Sequence, residues 1–145
     1  MVYWFCVTSE ENWKVIRDKL VWGVNERWRN TIQKAKPGDK LVIYITETKR
    51  DDEVIPSRIV GVFEIISEPY KGSSRIFKSR VKETVYPYRV KLKPIKIFRE
   101  PIEFKQLISK LRFIKNKERW TGYVRTPMRM ISEEDFRIMV GQRYE

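Results

Sequence analysis

An α+β architecture is expected from three features of the chain. The first is Ala35 to Thr46, where a Pro37-Gly38 turn leads into Leu41-Val42-Ile43-Tyr44-Ile45. That run is uncharged and β-branched or aromatic at four of five positions, so it reads as a strand buried on both faces and therefore central. The second is a pair of helix starts, Thr8-Ser9-Glu10-Glu11 and Ser132-Glu133-Glu134-Asp135, each setting a hydroxyl cap ahead of acids in the first turn. The third is the alternation of Tyr88-Arg89-Val90-Lys91-Leu92-Lys93, the period of a strand with one wet, basic face. A length of 145 residues suits a single domain over 1–145, large enough to bury about two thirds of its unfolded surface without a disulfide or metal staple.

The remaining elements follow in order. Val2 to Val7 is a continuous apolar run and forms a first strand. A helix starts at Ser9 and runs to about Leu20, with Trp13, Ile16 and Leu20 on its buried face. Gly23 is expected to break the chain into a turn that carries Trp22, and Trp28, Ile32 and Ala35 continue at helical spacing over about Asn25 to Lys36. Arg58 to Ser67 is the hairpin partner of the central strand, reached through a polar connection over 46–52. Tyr70 to Tyr86 is a basic arm in which Lys71, Arg75, Lys78, Arg80 and Lys82 face only Glu83, either a solvated loop or a grip on backbone phosphate. Pro94 argues for an edge or a bulge in the strand that follows. Pro101 to Leu111 has the apolar spacing of a short helix, Lys115 to Pro127 is irregular yet keeps Trp120 and Tyr123, and a last helix runs to about Gly141.

Composition restricts the chemistry. Lys and Arg number 31 against 19 Asp and Glu, a net charge of +12 and more than solubility requires, which favours a polyanionic partner: nucleic acid first, an anionic membrane second. No apolar run approaches the roughly 18 residues of a span, and Met1-Val2-Tyr3-Trp4 leads straight into structure with no signal peptide, so a soluble cytoplasmic monomer is expected. With no histidine and one cysteine, histidine-based triads and Cys/His zinc sites are excluded; no cofactor or metal is expected. Cys6, inside the first apolar run, reads as inert core.

In order and spacing, several short pieces resemble the EVE domain, a PUA-like fold related to the YTH readers of methylated RNA. They are Val2-Tyr3-Trp4, Ser9-Glu10-Glu11-Asn12-Trp13, Trp22-Gly23-Val24, Lys36-Pro37-Gly38-Asp39-Lys40 with its strand, Gly61 to Glu68-Pro69-Tyr70, Tyr88-Arg89-Val90, and Met130-Ile131-Ser132-Glu133-Glu134-Asp135-Phe136. The resemblance implies a small twisted, mostly antiparallel β-barrel surrounded by short helices. It also implies a pocket between the first strand, the Trp22 to Asn30 segment, the exit of the central strand and the final irregular stretch. Members of that family are regarded as readers of modified bases in DNA or RNA. Asn25-Glu26-Arg27-Trp28 and Arg125-Thr126-Pro127-Met128-Arg129-Met130 depart from the commoner family runs at that pocket.

A base taken out of its stack needs aromatic faces, a few groups to read its edge and cations for its phosphate. Trp4, Trp22, Trp28, Trp120 and Tyr123 are candidate faces; Asn25, Tyr44 and Thr46 candidate readers; Arg27, Arg125 and Arg129 candidate phosphate contacts, with the basic arm as outer rim. The reading is a non-catalytic module that binds a modified base in RNA or DNA. A scaffold that docks RNA without base specificity is the alternative. An enzyme acting on nucleic acid or nucleotide ranks below both, since no motif pairs its carboxylates.

Overall fold

The computed structural model describes residues 1–79 and 83–141. Strand β1 (Tyr3–Thr8) passes through the Ser9 cap into helix α1 (Glu10–Lys19). Leu20, with φ at +54°, ends that helix in the left-handed conformation and returns its N–H to the Ile16 carbonyl. The chain then extends as β2 (Val21–Val24) and turns through a 3-10 segment (Glu26–Trp28) into the one-turn α2 (Arg29–Ile32). β3 (Lys40–Ile45) follows the Pro37-Gly38 turn, where Gly38 takes a φ of +97° that a side chain would strain. A small hairpin of β4 (Thr48–Arg50) and β5 (Glu53–Ile55) precedes β6 (Arg58–Ile65). The basic arm contains β7 (Tyr70–Lys71), β8 (Phe77–Lys78) and β9 (Glu83–Thr84). The long β10 (Tyr88–Glu103) gives way to 3-10 turns, and β11 (Met128–Ile131) and α3 (Glu133–Val140) complete the chain.

The main sheet runs β11-β1-β3-β6-β10-β2, with β7 also on β10. Every pairing in it is antiparallel except β1 with β3. The expected central strand is central, and Leu41 to Ile45 are all buried. Period-two alternation sorts the core into two faces. Trp4, Cys6, Leu41, Ile43 and Ile45 join Trp13 and Trp22 in one cluster, while Phe5, Val42 and Tyr44 join Phe104 and Phe136 in the other. β1 and β2 lie far apart along the sheet, yet both line one cavity. The sheet therefore curls into a half-barrel that brings its ends together on the Trp22 side.

Two local expectations are corrected. Trp22 lies on a strand, not in a turn, because Val21–Val24 pairs with Tyr88–Lys91 of β10 and the ladder outweighs the propensity of Gly23 to break structure. Pro101 to Leu111 forms no α-helix: β10 continues until Glu103 pairs with Arg58, and two 3-10 turns then bury Phe104, Ile108 and Leu111 at nearly the same spacing. Met128 to Ile131, to which no element was assigned, pairs with β1. Pro94 stands at a bulge, beyond the end of the β10–β2 ladder at Lys91, where β10 is paired with β6 alone. Cys6 is fully buried, and burial pushes its thiol well above the ordinary range, so it carries no reactive thiolate at neutral pH. Among the described residues no helix is long and apolar enough to cross a membrane.

Candidate nucleic-acid interface

A cavity of about 420 Å³ opens where the curled ends of the sheet meet helix α1. Its floor comes from Val7 and Thr8 of β1 and from Trp22, Gly23 and Val24 of β2. Ser9, Asn12 and Ile16 of α1 form one wall; Asn25, Trp28 and Thr46 form the mouth; Arg125 and Pro127 close the side towards β11. Phe77, Lys78, Ser79 and Tyr86 of the basic arm form the roof. Backbone bonds set these walls: the Thr46 N–H to the Thr8 carbonyl at 3.0 Å ties the exit of β3 to the end of β1, and the Val7 N–H to the Pro127 carbonyl at 2.9 Å holds the last stretch alongside.

The roof is held by side chains. The Asn12 amide donates to the Lys78 carbonyl at 2.8 Å and accepts the Lys78 N–H at 2.7 Å, as a neighbouring strand would. Buried Arg89 donates to the Tyr86 carbonyl at 3.1 Å, to the Ser74 hydroxyl at 2.8 Å and to the Ser74 and Val85 carbonyls. Its guanidinium also lies 5.4 Å from the centre of the Phe77 ring. Burial draws the Arg89 pKa below its ordinary value. Gly23 admits this packing, because a Cβ there would stand 2.8 Å from the Phe77 ring and 3.0 Å from the Tyr86 carbonyl oxygen.

Trp22 is 3% exposed, and its indole N–H finds no hydrogen-bond partner among the described residues. A buried donor left unmade costs about 1–3 kcal/mol. Trp28 is half-buried at the mouth with the exposed Arg27 guanidinium 5.5 Å from its ring centre. Asn25 precedes the 3-10 turn without capping it through its side chain. Burial raises the Tyr86 pKa, so its hydroxyl stays protonated at neutral pH.

Of the residues expected at the site, Trp22, Asn25, Trp28, Thr46, Lys78 and Arg125 come together here, and Arg27 covers Trp28 from outside. Others do not. Trp4 shares the core face of Trp22, but its indole N–H is taken by the Asp39 carboxylate at 3.0 Å. Tyr44 points to the opposite face, its ring 4.8 Å from Phe104 and 5.4 Å from Phe5, because it is out of phase with Ile43 and Ile45; burial raises its pKa. Trp120 packs 5.8 Å from Phe104, and the Tyr123 hydroxyl accepts the Asn116 N–H. Arg129 pairs across from Phe5, donates to the Tyr123 carbonyl and lies 5.3 Å from the Phe113 ring, again on the second face. Lys71 stands 6.0 Å from the Tyr88 ring beside a separate hollow, and Arg75 is exposed outside the cavity lining. Arg80 and Lys82 lie outside the described residues.

Ser9, Asn12, Phe77 and Tyr86 join the lining without having been expected there. Asn12 left a trace, since asparagine is a poor helix former and stands here inside a helix. Phe77 and Tyr86 left none: their meeting depends on how the arm folds back.

Comparison with known proteins agrees with this architecture. A UPF0310 protein of Pyrococcus abyssi is 50% identical over 140 residues, covering 96% of this chain and 97% of that protein. Human THYN1, solved in complex with DNA containing 5-methylcytosine, superposes with a TM-score of 0.61 at 16% identity, covering 94% of each chain. The Mmi1 YTH domain superposes with a TM-score of 0.62 at 13% identity over 99% of this chain and 96% of its own. At such identities the likeness establishes the fold, α+β and PUA-like. The EVE domain model matches residues 2–142, and the chain belongs to the EVE domain family.

Proposed function

We propose that this chain is a non-catalytic nucleic-acid-binding module that holds one base, carrying a modification, in the cavity lined by Trp22. The observation that carries the reading is a cavity of about 420 Å³ lined by Trp22, whose indole N–H has no partner among the described residues. A nucleobase supplies the missing piece, a carbonyl oxygen or ring nitrogen in a flat apolar frame, between walls that include Trp22, Trp28 and Phe77. Aromatic stacking contributes about 1–3 kcal/mol per base. Arg125 on the lining puts a cation where the phosphate of an extruded nucleotide would pass, while the Lys78 ammonium stands 3.2 Å from Glu11 Oε2. No carboxylate is among the described lining residues, which favours a binding site over acid–base catalysis. The likeness to THYN1, solved with methylcytosine DNA, supports the same reading.

Trp22→Phe tests it, because the ring face stays while the donor goes. Titrating strands with and without 5-methylcytosine, followed by tryptophan quenching or calorimetry, should show the preferred strand weakened about 5- to 30-fold, the equivalent of one hydrogen bond of about 1–2 kcal/mol. Unchanged affinity and unchanged preference in Trp22→Phe would refute the assignment. A uniform response to every strand in the parent protein would favour the docking scaffold instead.

A further inference from the structure

Helix α1 has a second occupied flank. Ser9, Asn12 and Ile16 face the base cavity, whereas Glu10, Trp13, Lys14 and Arg17 line a different hollow of about 250 Å³, closed by Arg50 of β4 and Arg58 of β6. Among the described lining residues, four cations face the single carboxylate of Glu10. Arg58 is only 9% exposed, and it donates to the Pro56 carbonyl at 3.1 Å, to the Thr48 hydroxyl at 3.4 Å and to Glu10 Oε2 at 2.9 Å. Arg50 donates to the same Oε2. Two guanidiniums thus share one carboxylate oxygen, and one of them is buried. The Lys14 ammonium makes no hydrogen bond or ion pair among the described residues, and Arg17 reaches only the exposed Asp18 at 3.9 Å, with its guanidinium 5.8 Å from the Trp13 ring.

We propose that this hollow is a phosphate subsite, formed by Lys14, Arg17, Arg50 and Arg58, that grips the backbone of the strand whose base enters the neighbouring cavity. Glu10 accompanies the one buried cation, Arg58, while the exposed Lys14, Arg17 and Arg50 leave the hollow with a net positive charge open to an anion. Burial lowers the Arg58 pKa, Glu10 works against that, and the charge of Arg50 adds to the lowering, as expected where cations outnumber anions. Guanidinium forks suit the tetrahedral oxygens of a phosphodiester, and a free lysine adds a point charge. The two hollows stand on opposite flanks of one helix, about 10–12 Å across, a span that a strand passing over α1 covers with its neighbouring nucleotides. The inference rests on the nucleic-acid reading above, and it concerns backbone affinity, not base preference.

The test is a double substitution, Arg17→Gln with Arg50→Gln. Both side chains are well exposed, at 44% and 57%, so the fold is retained, unlike a change at buried Arg58. Binding of single strands with and without 5-methylcytosine is followed by anisotropy over a salt series. The double variant should bind several-fold more weakly at low salt, and its log–log salt slope should flatten by about 0.7 for each phosphate that is no longer neutralised. Its ratio of modified to unmodified affinity should stay that of the parent. Lys105→Gln with Lys110→Gln, which removes the same charge away from both hollows, should leave the slope unchanged. A slope equal to the parent's in the Arg17/Arg50 variant, or an equal flattening in the lysine control, overturns this proposal while the base-binding reading stands. Absence of nucleic-acid binding by the parent protein overturns both.

Discussion

Two buried tryptophans differ in what their indole N–H groups meet. The Trp4 indole N–H donates to Asp39 Oδ2 at 3.0 Å; the same oxygen takes the Lys36 N–H at 3.0 Å, and Oδ1 takes the Val2 N–H at 3.0 Å. Asp39 thereby ties the start of β1 to the turn that launches β3, and Trp4 is committed to the core. Trp22, equally buried, has no such acceptor among the described residues. Asp39→Asn should therefore be costly, because one carboxamide face turns an N–H₂ towards N–H donors. The expected loss is about 2–4 kcal/mol, read as a lower urea midpoint at unchanged m-value. A loss under about 0.5 kcal/mol, within the range of ordinary surface changes, would remove Asp39 as the organiser of this corner.

At the level of elements, the basic arm belongs to the site because α1 and β10 hold it there. Asn12 supplies Lys78 with a donor and an acceptor, and Arg89 gathers carbonyls from both limbs of the arm. Removing the Asn12 amide strands two backbone groups, so Asn12→Ala should cost about 1–3 kcal/mol. The loss should be local, since the β3–β6 ladder does not depend on that pairing. Tryptic cleavage after Lys71, Arg75 and Lys78 should accelerate while sites in the sheet stay protected. If cleavage there is unchanged, the amide is not what secures the roof. Lys78 reaches the cavity through this backbone pairing, whereas neighbouring arm cations such as Lys71 are directed elsewhere.

For the molecule as a whole, a charge of +12 on 145 residues governs the approach of any polyanion. Binding to a mixed-sequence oligonucleotide should weaken log-linearly with salt as counterions are released. Affinity that stays constant between about 50 and 300 mM salt would contradict the electrostatic account. Curling of the sheet adds position to this bulk charge: it places the Trp22-lined cavity on one flank of α1 and the guanidinium cluster on the other.

Local pattern alone was enough for β3 with its Pro37-Gly38 turn, for the Ser9 and Ser132 caps that accept the Asn12 and Asp135 N–H groups, for inert Cys6, and for the basic balance. Each depends on neighbours within a few residues or on composition. The family resemblance also pointed to the segments that line the cavity, because those pieces stand in family order. Which aromatics would meet there was a matter of long-range geometry. Tyr44 is turned away by a phase shift of one residue, Trp4 is claimed by a carboxylate 35 positions along the chain, and Trp120 stacks on the far face. Trp22, read as a turn residue, becomes strand through its ladder with β10. Periodicity tells a side chain which face of its own element it occupies; which other faces it meets depends on the curl that closes β2 onto β1.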